Sequence, residues 1–347
     1  MIDSSVDLSV RISVSLLFKF VSVFLFLTFL PAQAAELSAV RITQAIINEK
    51  SLALWIGVEQ GFFRKHGVTV EIIQTRSSAQ TLAALASGDI QIAGTTPSVV
   101  LSAAVGGMDI AFFGGIVNRA DGDFVVAPGI RTAEDLRGKR LGVQSLGGGV
   151  WSLAMLALDH LGLEPTRDKI LVIAVGDQSV LAQALAAGRI DATYLGYTYS
   201  ALLKEKGFPV LLDIGRAPIP YQGLALVARR SYLKQNPRII DAILSGLIES
   251  VAFIQNPAHK EVALKSLVKN LRLTTTKEAE SGYEVLQWLY SLDVNPSVSG
   301  IQNMQRLVAL TNPRVAGVKA EDVVDEGPVQ RLEKTPLYQE LLTHSKK

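Results

Sequence analysis

The chain has 347 residues, with 34 lysines and arginines against 32 aspartates and glutamates, a formal net charge of +2 and no cysteine. This near-neutral net charge argues against a nucleic-acid-binding surface, which usually carries a clustered excess of basic residues. The absence of cysteine excludes disulfide scaffolds, thiol enzymes and zinc sites with cysteine ligands. With 48% apolar residues the chain is typical of core-forming proteins, and its length predicts about two domains.

Residues 1–34 are predicted to form a secretory signal peptide. Arg11 and Lys19 precede an apolar stretch over 20–30, and Ala32 and Ala34 give the small-x-small pattern of a cleavage site. The stretch is shorter than the ~20 residues of a spanning helix, so we expect cleavage after Ala34. An uncleaved amphipathic anchor is the alternative, because the region before Arg11 is long. Lipid anchoring needs a cysteine, so we expect a soluble periplasmic protein without a membrane anchor.

From residue 41 onward, short β-rich runs alternate with helical patterns, as in parallel α/β sheets. The predicted strands and helices alternate over 41–47, 52–66, 68–73, 79–87 and 90–93. The same order recurs over 140–143, 150–161, 170–175, 179–187 and 190–194. Residues 85–90 (LASGDI) also align with residues 185–190 (LAAGRI), at an offset of 100. Chance is the alternative explanation, but the repeated order of flanking elements favours an internal repeat.

The last third of the chain is predicted to return to the first lobe. Pro218-Ile219-Pro220 is typical of an extended connector, a strand is predicted over 223–229, and Pro237 begins a helix. Mostly helical patterns follow, over 277–292, 297–310 and 332–342. We therefore predict a discontinuous first lobe and an inserted second lobe, with the limits 35–127 plus 222–347 and 128–221.

Ligands of open parallel sheets bind beyond the carboxyl ends of the strands, where helix N-termini offer unpaired N–H groups. This rule selects the loops after the predicted strands. The predicted ligand-binding residues are Asn48, Ser51, Leu52, Thr95, Thr96, Asn118, Ser145, Gly147, Gly148, Gly149, Val150, Tyr197 and Gln222.

The triple glycine Gly147–Gly149 is the sharpest of these signals, because residues without Cβ let backbone approach an anionic group closely. A flexible loop is the alternative, since no nucleotide-binding fingerprint is present. For Thr95-Thr96-Pro97, an ordinary helix start is as good an explanation as ligand contact. Core packing is the alternative for at least one of Tyr197 and Tyr199, and also for Trp55 and Trp151. A solvated surface role is the alternative for Arg119.

Catalysis finds little support in the sequence. The four histidines form no metal-spaced pair, and no Gly-x-Ser-x-Gly elbow is present. Glu49 is the only carboxylate in the selected loops, and a single carboxylate makes no acid/base pair. We predict no catalytic residue, no metal and no cofactor.

The chain resembles the solute-binding proteins of bacterial ABC importers for sulfonates, taurine, nitrate and thiamine-precursor pyrimidines. The resemblance covers roughly residues 40 to 260, and its motifs are residues 57–63, 86–90, 135–143, 187–191 and 232–237. It implies a type II periplasmic-binding-protein fold. Each of two α/β lobes has a mostly parallel sheet flanked by helices, and two crossover segments, near 126–128 and 220–222, join them.

The resemblance also implies a binding function without a catalysed reaction. A small organic or anionic solute is captured between the lobes and delivered to a membrane permease, with its ATPase on the cytoplasmic side. Lys50 is the only basic residue in the ligand loops, so a neutral ligand held by backbone, threonine, asparagine and tyrosine groups fits equally well. The alternatives are a ligand sensor and an enzyme of pyrimidine-precursor synthesis on the same fold. We expect a monomer that binds no nucleic acid.

Overall fold

The structure is a computed structural model that describes residues 37–44 and 46–345, with backbone only for 344 and 345. The predicted signal peptide, residues 1–34, lies outside the described residues. Within the described part of the chain, no helix combines the length and the apolar character that crossing a bilayer requires.

Ten strands are described: β1 Ser38–Gln44, β2 Val68–Gln74, β3 Ile92–Thr95, β4 Ile110–Gly115, β5 Asp123–Val126, β6 Arg140–Val143, β7 Leu171–Ala174, β8 Ala192–Leu195, β9 Val210–Asp213 and β10 Ala225–Arg229. The described helices are α1 Leu52–Glu59, α2 Phe62–Lys65, α3 Ser78–Ser87, α4 Pro97–Val105, α5 Gly149–His160, α6 Gln178–Ala186, α7 Tyr197–Lys204, α8 Arg230–Gln235, α9 Pro237–Gln255, α10 Lys260–Leu271, α11 Thr276–Leu289, α12 Val298–Ala309, α13 Gly327–Glu333 and α14 Pro336–Ser345.

The strands form two sheets with the same internal order. The first lobe contains the sheet β2-β1-β3-β10-β4, and the second lobe contains the sheet β7-β6-β8-β5-β9. In each sheet four strands run in one direction and one runs against them, β10 in the first and β5 in the second. The predicted architecture of two lobes with mostly parallel sheets is confirmed, and each reversed strand is the first strand after the chain passes from one sheet to the other.

Equivalent bonds recur in the two sheets. The backbone N–H of Arg41 donates to the Gln91 side chain at 2.9 Å, and that of Arg140 donates to Asp191 at 2.8 Å. Each acceptor lies in the joint between an alanine-rich helix and the next strand. The repeat seen in the sequence therefore corresponds to two lobes built from the same succession of elements.

The helix predicted over 52–66 is interrupted at Gly61, where the backbone adopts a left-handed φ of 75°. This conformation suits glycine, which has no Cβ to collide with the chain, and it ends one helix before another can begin. Two short helices, α1 and α2, therefore replace one long helix.

Strand β5 changes the predicted limit between the lobes. It pairs antiparallel with β8 and β9, so residues 123–126 belong to the second sheet. The first crossover accordingly lies between Gly115 and Asp123, upstream of the predicted crossover near 126–128. The second lies between β9 and β10, an interval that contains the predicted crossover near 220–222. The remaining lobe limits stay a prediction.

The core of the first lobe contains a close helix contact around Phe63, which is 1% exposed. A Cβ added to Gly246 on α9 would lie 2.5 Å from Cδ1 of Phe63 and 3.1 Å from its Cα. Helix α9 also buries the predicted apolar stripe of Ile240, Ile243, Leu244, Leu247, Val251 and Ile254. Small residues thus let α9 approach α2 closely.

Replacing Gly246 with valine should lower the free energy of unfolding by about 1–3 kcal/mol, because the added side chain overlaps Phe63 and its backbone. Gly317→Val is the control, since Gly317 is exposed and has no neighbouring atom within 4 Å of an added Cβ. Urea denaturation of both variants provides the measurement. Equal stability of the two variants would contradict the close contact.

Candidate functional site

The loops that follow β1, β3, β6 and β8 meet between the two lobes. A Cβ added to Gly149, at the start of α5, would collide with the side chain of Ile46 and come within 3.1 Å of Thr96. On the same principle, a Cβ at Gly196 would lie 3.0 Å from Asn48 Nδ2. The lobes are therefore in direct contact, and the carboxyl ends of the strands from both sheets contribute to one cleft.

A small space remains between the lobes, which we call the cleft cavity. Its volume is about 10 Å³, roughly the space that one water needs. It is lined by Ile46, Ser77, Ser78, Thr95, Thr96, Val99, Gln144, Ser145, Gly148 and Gly149. Apart from two aliphatic side chains, the lining therefore consists of hydroxyl groups, one amide and glycine backbone.

Three helices begin at the cleft cavity, each for a local reason. Helix α3 begins after Ser77, whose side chain accepts from the N–H of Gln80, and α4 begins at Pro97 after the extended Thr96. Helix α5 begins after Gly148, and Gly147 adopts a left-handed φ of 73° that turns the chain into it. The first N–H groups of a helix lack intrahelical partners and lie at its positive end. Three such ends converge on the cleft cavity from both lobes.

A hydroxyl contact bridges the lobes next to the cleft cavity. The Ser98 hydroxyl on α4 donates to the carbonyl of Gly147 at 2.8 Å. Ser98 Oγ also lies 2.8 Å from Ser152 Oγ on α5. These bonds join the starts of two helices from different lobes, so they exist only while the lobes are together.

The turn after β1, Asn48–Lys50, belongs to the first lobe and contacts the second; we call it the crossing turn. All three residues are buried. The N–H of Tyr197, the first residue of α7, donates to Glu49 Oε1 at 2.9 Å. Glu49 therefore supplies a carboxylate to the positive end of a helix in the opposite lobe.

Lys50, in the same turn, forms a buried ion pair with Asp121 of the first crossover. Its Nζ lies 2.7 Å from Asp121 Oδ1 and 3.2 Å from the Tyr194 hydroxyl, and the Lys50 and Asp121 side chains are 2% and 0% exposed. The Tyr194 hydroxyl in turn donates to the other oxygen of Asp121. Asp121 lies in the first crossover and Tyr194 on β8, so Lys50 ties the first lobe to both.

Burial raises the pKa of the Glu49 carboxyl above its ordinary value, and repulsion by the Asp121 carboxylate raises it further. The charge of Lys50 offsets part of this rise. Burial also raises the pKa of the Tyr194 hydroxyl well above its usual range. In the crossing turn, Glu49 Oε2 and Asn48 Nδ2 have no hydrogen-bond partner among the described residues, and neither has Gln178 Nε2 on α6. The crossing turn thus carries polar groups whose burial is only partly compensated.

The structure brings five of the predicted ligand-binding residues to the cleft cavity, namely Thr95, Thr96, Ser145, Gly148 and Gly149. Gly147 lies beside it as an acceptor for Ser98. Val150 is buried in the first turn of α5 without lining the cavity.

Four others have contacts within the lobes or across the crossing turn. Asn48 caps the turn by accepting from the N–H of Lys50, and the Ser51 hydroxyl donates to the carbonyl of Ile46. Leu52 belongs to the core. Tyr197 meets Glu49 through its N–H, and its hydroxyl donates to Asp213 at 2.6 Å.

Asn118 and Gln222 hold the two crossovers together and do not line the cleft cavity. The Gln222 amide donates to Asn118 Oδ1 at 2.9 Å, and Asn118 Nδ2 donates to the carbonyl of Asn295 at 2.6 Å. Their partners lie more than 100 residues apart in the chain, so sequence spacing could not reveal this role.

The aromatic candidates are mostly structural. Trp55 is buried and donates to Gln44 at 2.8 Å, and the Tyr199 hydroxyl donates to the carbonyl of Leu271. The guanidinium of exposed Arg119 lies 5.0 Å from the ring centre of Trp288. Ser77 and Ser78 were not predicted from the sequence, although they follow the carboxyl end of β2 and satisfy the same helix-start rule.

The described residues contain no group of three or more histidine or acidic side chains placed to hold a metal ion.

Comparison with known proteins agrees with this architecture. The NMT1/THI5-like family matches residues 48–259. The taurine-binding periplasmic protein of Escherichia coli (strain K12) is 27% identical over 230 residues, which cover 65% of this chain and 70% of that protein.

Two solved structures show the same fold. The alkanesulfonate-binding protein from Xanthomonas axonopodis pv. citri, bound to MOPS, superposes with a TM-score of 0.68 at 20% identity, covering 85% of this chain and 100% of that one. The periplasmic nitrate-binding protein from Synechocystis PCC 6803 gives a TM-score of 0.67 at 15% identity, covering 86% and 89% of the two chains. At these identities the similarity shows the fold alone.

Replacing Lys50 with methionine should lower the free energy of unfolding by about 3–5 kcal/mol, because it leaves the Asp121 carboxylate buried without its partner. Arg41→Met is the control: its ion pair with Glu71 is more than half exposed, and losing it should cost less than about 1 kcal/mol. Urea denaturation measures both. A loss at Lys50 no larger than at Arg41 would contradict a buried pair.

Glu49→Gln tests the raised pKa of Glu49. A folded-state pKa above the unfolded value means that the folded protein binds the proton more tightly, so ionisation lowers stability above the folded pKa. The unfolding free energy of the wild type, relative to the variant, should therefore rise as the pH falls through the raised pKa towards the ordinary value of 4.5. The measurement is urea denaturation across this range.

Asp191→Asn provides a control of opposite sign. Hydrogen bonds from Arg140 hold the pKa of Asp191 below its ordinary value. Its contribution is present above the unfolded pKa and is lost as the pH falls through the folded pKa. The same pH trend at both positions, or no trend at Glu49, would contradict the assignment.

Proposed function

The chain belongs to the NMT1/THI5-like family, and from this we propose that it is a solute-binding protein that captures a small organic anion between its two lobes and delivers it to an ABC importer. The relatives support this role, since one is a taurine-binding periplasmic protein and the similar structures are alkanesulfonate-binding and nitrate-binding proteins. Taurine and alkanesulfonates carry a sulfonate, and nitrate is itself an oxyanion.

One observation carries the choice of an anion, namely the convergence of three helix N-termini on the cleft cavity. Backbone N–H groups at a helix start, together with the positive end of its dipole, form a ready site for an oxyanion. The hydroxyls of Ser77, Ser78, Thr96 and Ser145 add donors around the same point. Sulfonate, carboxylate and nitrate oxygens accept such bonds.

The site would bind its anion without a direct ion pair. Lys50, which the sequence offered as the cation of the ligand loops, is buried against Asp121 and does not line the cleft cavity. The anion would instead be held by neutral donors in a water-poor cleft, where such bonds are stronger than in water. The scarcity of basic residues in the ligand loops is therefore no argument against an anionic solute, because N–H groups at the helix starts can bind the anion instead.

The small volume of the cleft cavity indicates how the solute would enter. About 10 Å³ accommodates roughly one water, so a sulfonate requires the lobes to move apart. The Ser98 and Glu49 bonds across the cleft would break on opening, and the lobes would close again around the solute with a wider cavity than in this structure. The closed lobes would then present a surface to the permease, and the ATPase would act on the cytoplasmic side.

The cellular setting follows from the same proposal. Delivery to an importer needs a protein outside the cytoplasmic membrane, so we place the mature chain in the periplasm, with the signal peptide removed after Ala34. Its curated relatives are binding proteins, and we assign the chain no catalytic step.

Thermal-shift measurements on purified residues 35–347 test the proposal. The probes are taurine, ethanesulfonate, nitrate and benzoate, with a neutral aminopyrimidine as comparison. At least one anion should raise the melting temperature in a concentration-dependent way, because binding to the folded state adds about 2.7 kcal/mol of stability at 100 times Kd. Stabilisation by the pyrimidine alone, or by no probe, would contradict it.

Gly148→Val connects binding to the cleft cavity. A Cβ at Gly148 would lie 2.7 Å from Ser145 Oγ and 3.6 Å from Ser78 Oγ, so the valine enters the site from its wall. The φ of −83° is open to valine, and the fold should persist. We expect calorimetry to show affinity for the best anion reduced about tenfold or more, whereas Gly317→Val should leave it unchanged. Unchanged affinity in Gly148→Val would mean that the anion binds elsewhere.

A further inference from the structure

A second and larger opening lies between the lobes, which we call the outer groove. Its volume is about 530 Å³, within the usual range of small-molecule sites. Helices α6 and α7 of the second lobe form one wall. The end of α10 and the start of the turn after it, residues 270–273 of the first lobe, form the other.

The outer groove adjoins the cleft cavity along the same edge of the sheets. Ile46 lines the cavity, and the next residue, Ile47, lines the groove. Similarly, Gln74 at the end of β2 lines the groove, and Ser77 at the start of α3 lines the cavity. Because residues that are close in the chain line both spaces, we expect a solute anchored in the cavity to reach the groove.

The outer groove is lined by two acidic side chains with local hydrogen-bond partners and two basic side chains without them. Both acids are engaged locally: Asp177 accepts from the N–H groups of Ser179 and Val180 as the cap of α6, and Glu278 accepts from the N–H of Thr274. The two bases make no ion pair and no side-chain hydrogen bond among the described residues. They are Lys206, beyond the end of α7, and Arg272, beyond the end of α10.

Arg272 also occupies a position that is unusual for its residue type. It ends α10 with a left-handed φ of 56°, a conformation that favours glycine at helix ends. The neighbouring carbonyl of Leu271 accepts from the Tyr199 hydroxyl of the second lobe at 3.2 Å. The turn that carries Arg272 is therefore fixed against the opposite wall of the groove.

We propose that the outer groove holds the distal part of the transported solute, and that this part carries a second anionic group bound by Lys206 and Arg272. The preferred solute is then a dianion whose two acidic groups are joined by a short apolar spacer, which Ala182, Ala186 and Leu202 would contact. This inference rests on the proposed function. Because Lys206 and Arg272 belong to different lobes, one anionic group between them also favours the closed state.

Monosulfonates and disulfonates with the same number of carbons, compared in pairs, test this inference. Alkane monosulfonates and α,ω-disulfonates with spacers of two to six carbons are titrated by calorimetry into the purified chain, at fixed ionic strength. The best disulfonate should bind about tenfold or more tightly than its monosulfonate, since charged hydrogen bonds to a second acidic group are added. Arg272→Gln and Lys206→Gln should each remove most of this advantage and leave monosulfonate binding unchanged. Lys234→Gln, which removes an exposed cation on α8, should change neither affinity.

The outcomes separate the two proposals. If monosulfonates bind and no disulfonate binds more tightly, the outer groove inference is overturned and the proposed function stands. Equal loss of monosulfonate and disulfonate affinity in the Arg272 and Lys206 variants would also overturn it, because the cations would then act on the first anionic group or on the fold. If no anion of either kind binds, both proposals fall.

Discussion

Backbone N–H groups at helix starts that meet between the lobes need acceptors, and this constraint organises the cleft. The duplication places two equivalent starts there, at Pro97 and, 100 residues later, at Tyr197. At Tyr197 the acceptor is the carboxylate of Glu49, which the first lobe sends across. The start at Pro97 instead joins those of α3 and α5 around the cleft cavity. The chain itself therefore supplies the acceptor at the helix start of Tyr197. At the helix starts around the cleft cavity, the proposed solute would supply the acceptor oxygens.

Under the proposed function, different residues would close the lobes and bind the solute. The crossing turn brings three buried polar side chains into contact with the second lobe. The ion pair of Lys50 with Asp121 requires both partners to stay in place, since either charge alone is costly to bury. The cleft cavity carries no charged side chain among its lining residues. Solute affinity can thus change through hydroxyls and glycines without disturbing the ion pair that aligns the lobes.

Much of the fold could be predicted because its signals are local. Alternating runs identified the strands, glycines marked the helix ends, and the repeat at an offset of 100 residues indicated two similar lobes. Strand β5 was missed as a member of the second sheet, because its partners lie some 70 to 90 residues later and no local pattern records them. The same limit hid the partner of Lys50, which is 71 residues away. At the site, the helix-start rule found Thr95 to Thr96 and the glycines, but it could not separate lining residues from those that hold crossovers, such as Asn118.

The central claim is that an oxyanion binds where α3, α4 and α5 begin. A crystal structure of the mature chain with its bound solute tests this most directly. The account predicts an anionic group in the enlarged cleft cavity, accepting bonds of about 2.9 Å from N–H groups in the first turns of these helices. A solute bound away from all three helix starts, with Gly148 and Ser78 still closed on each other, would contradict it.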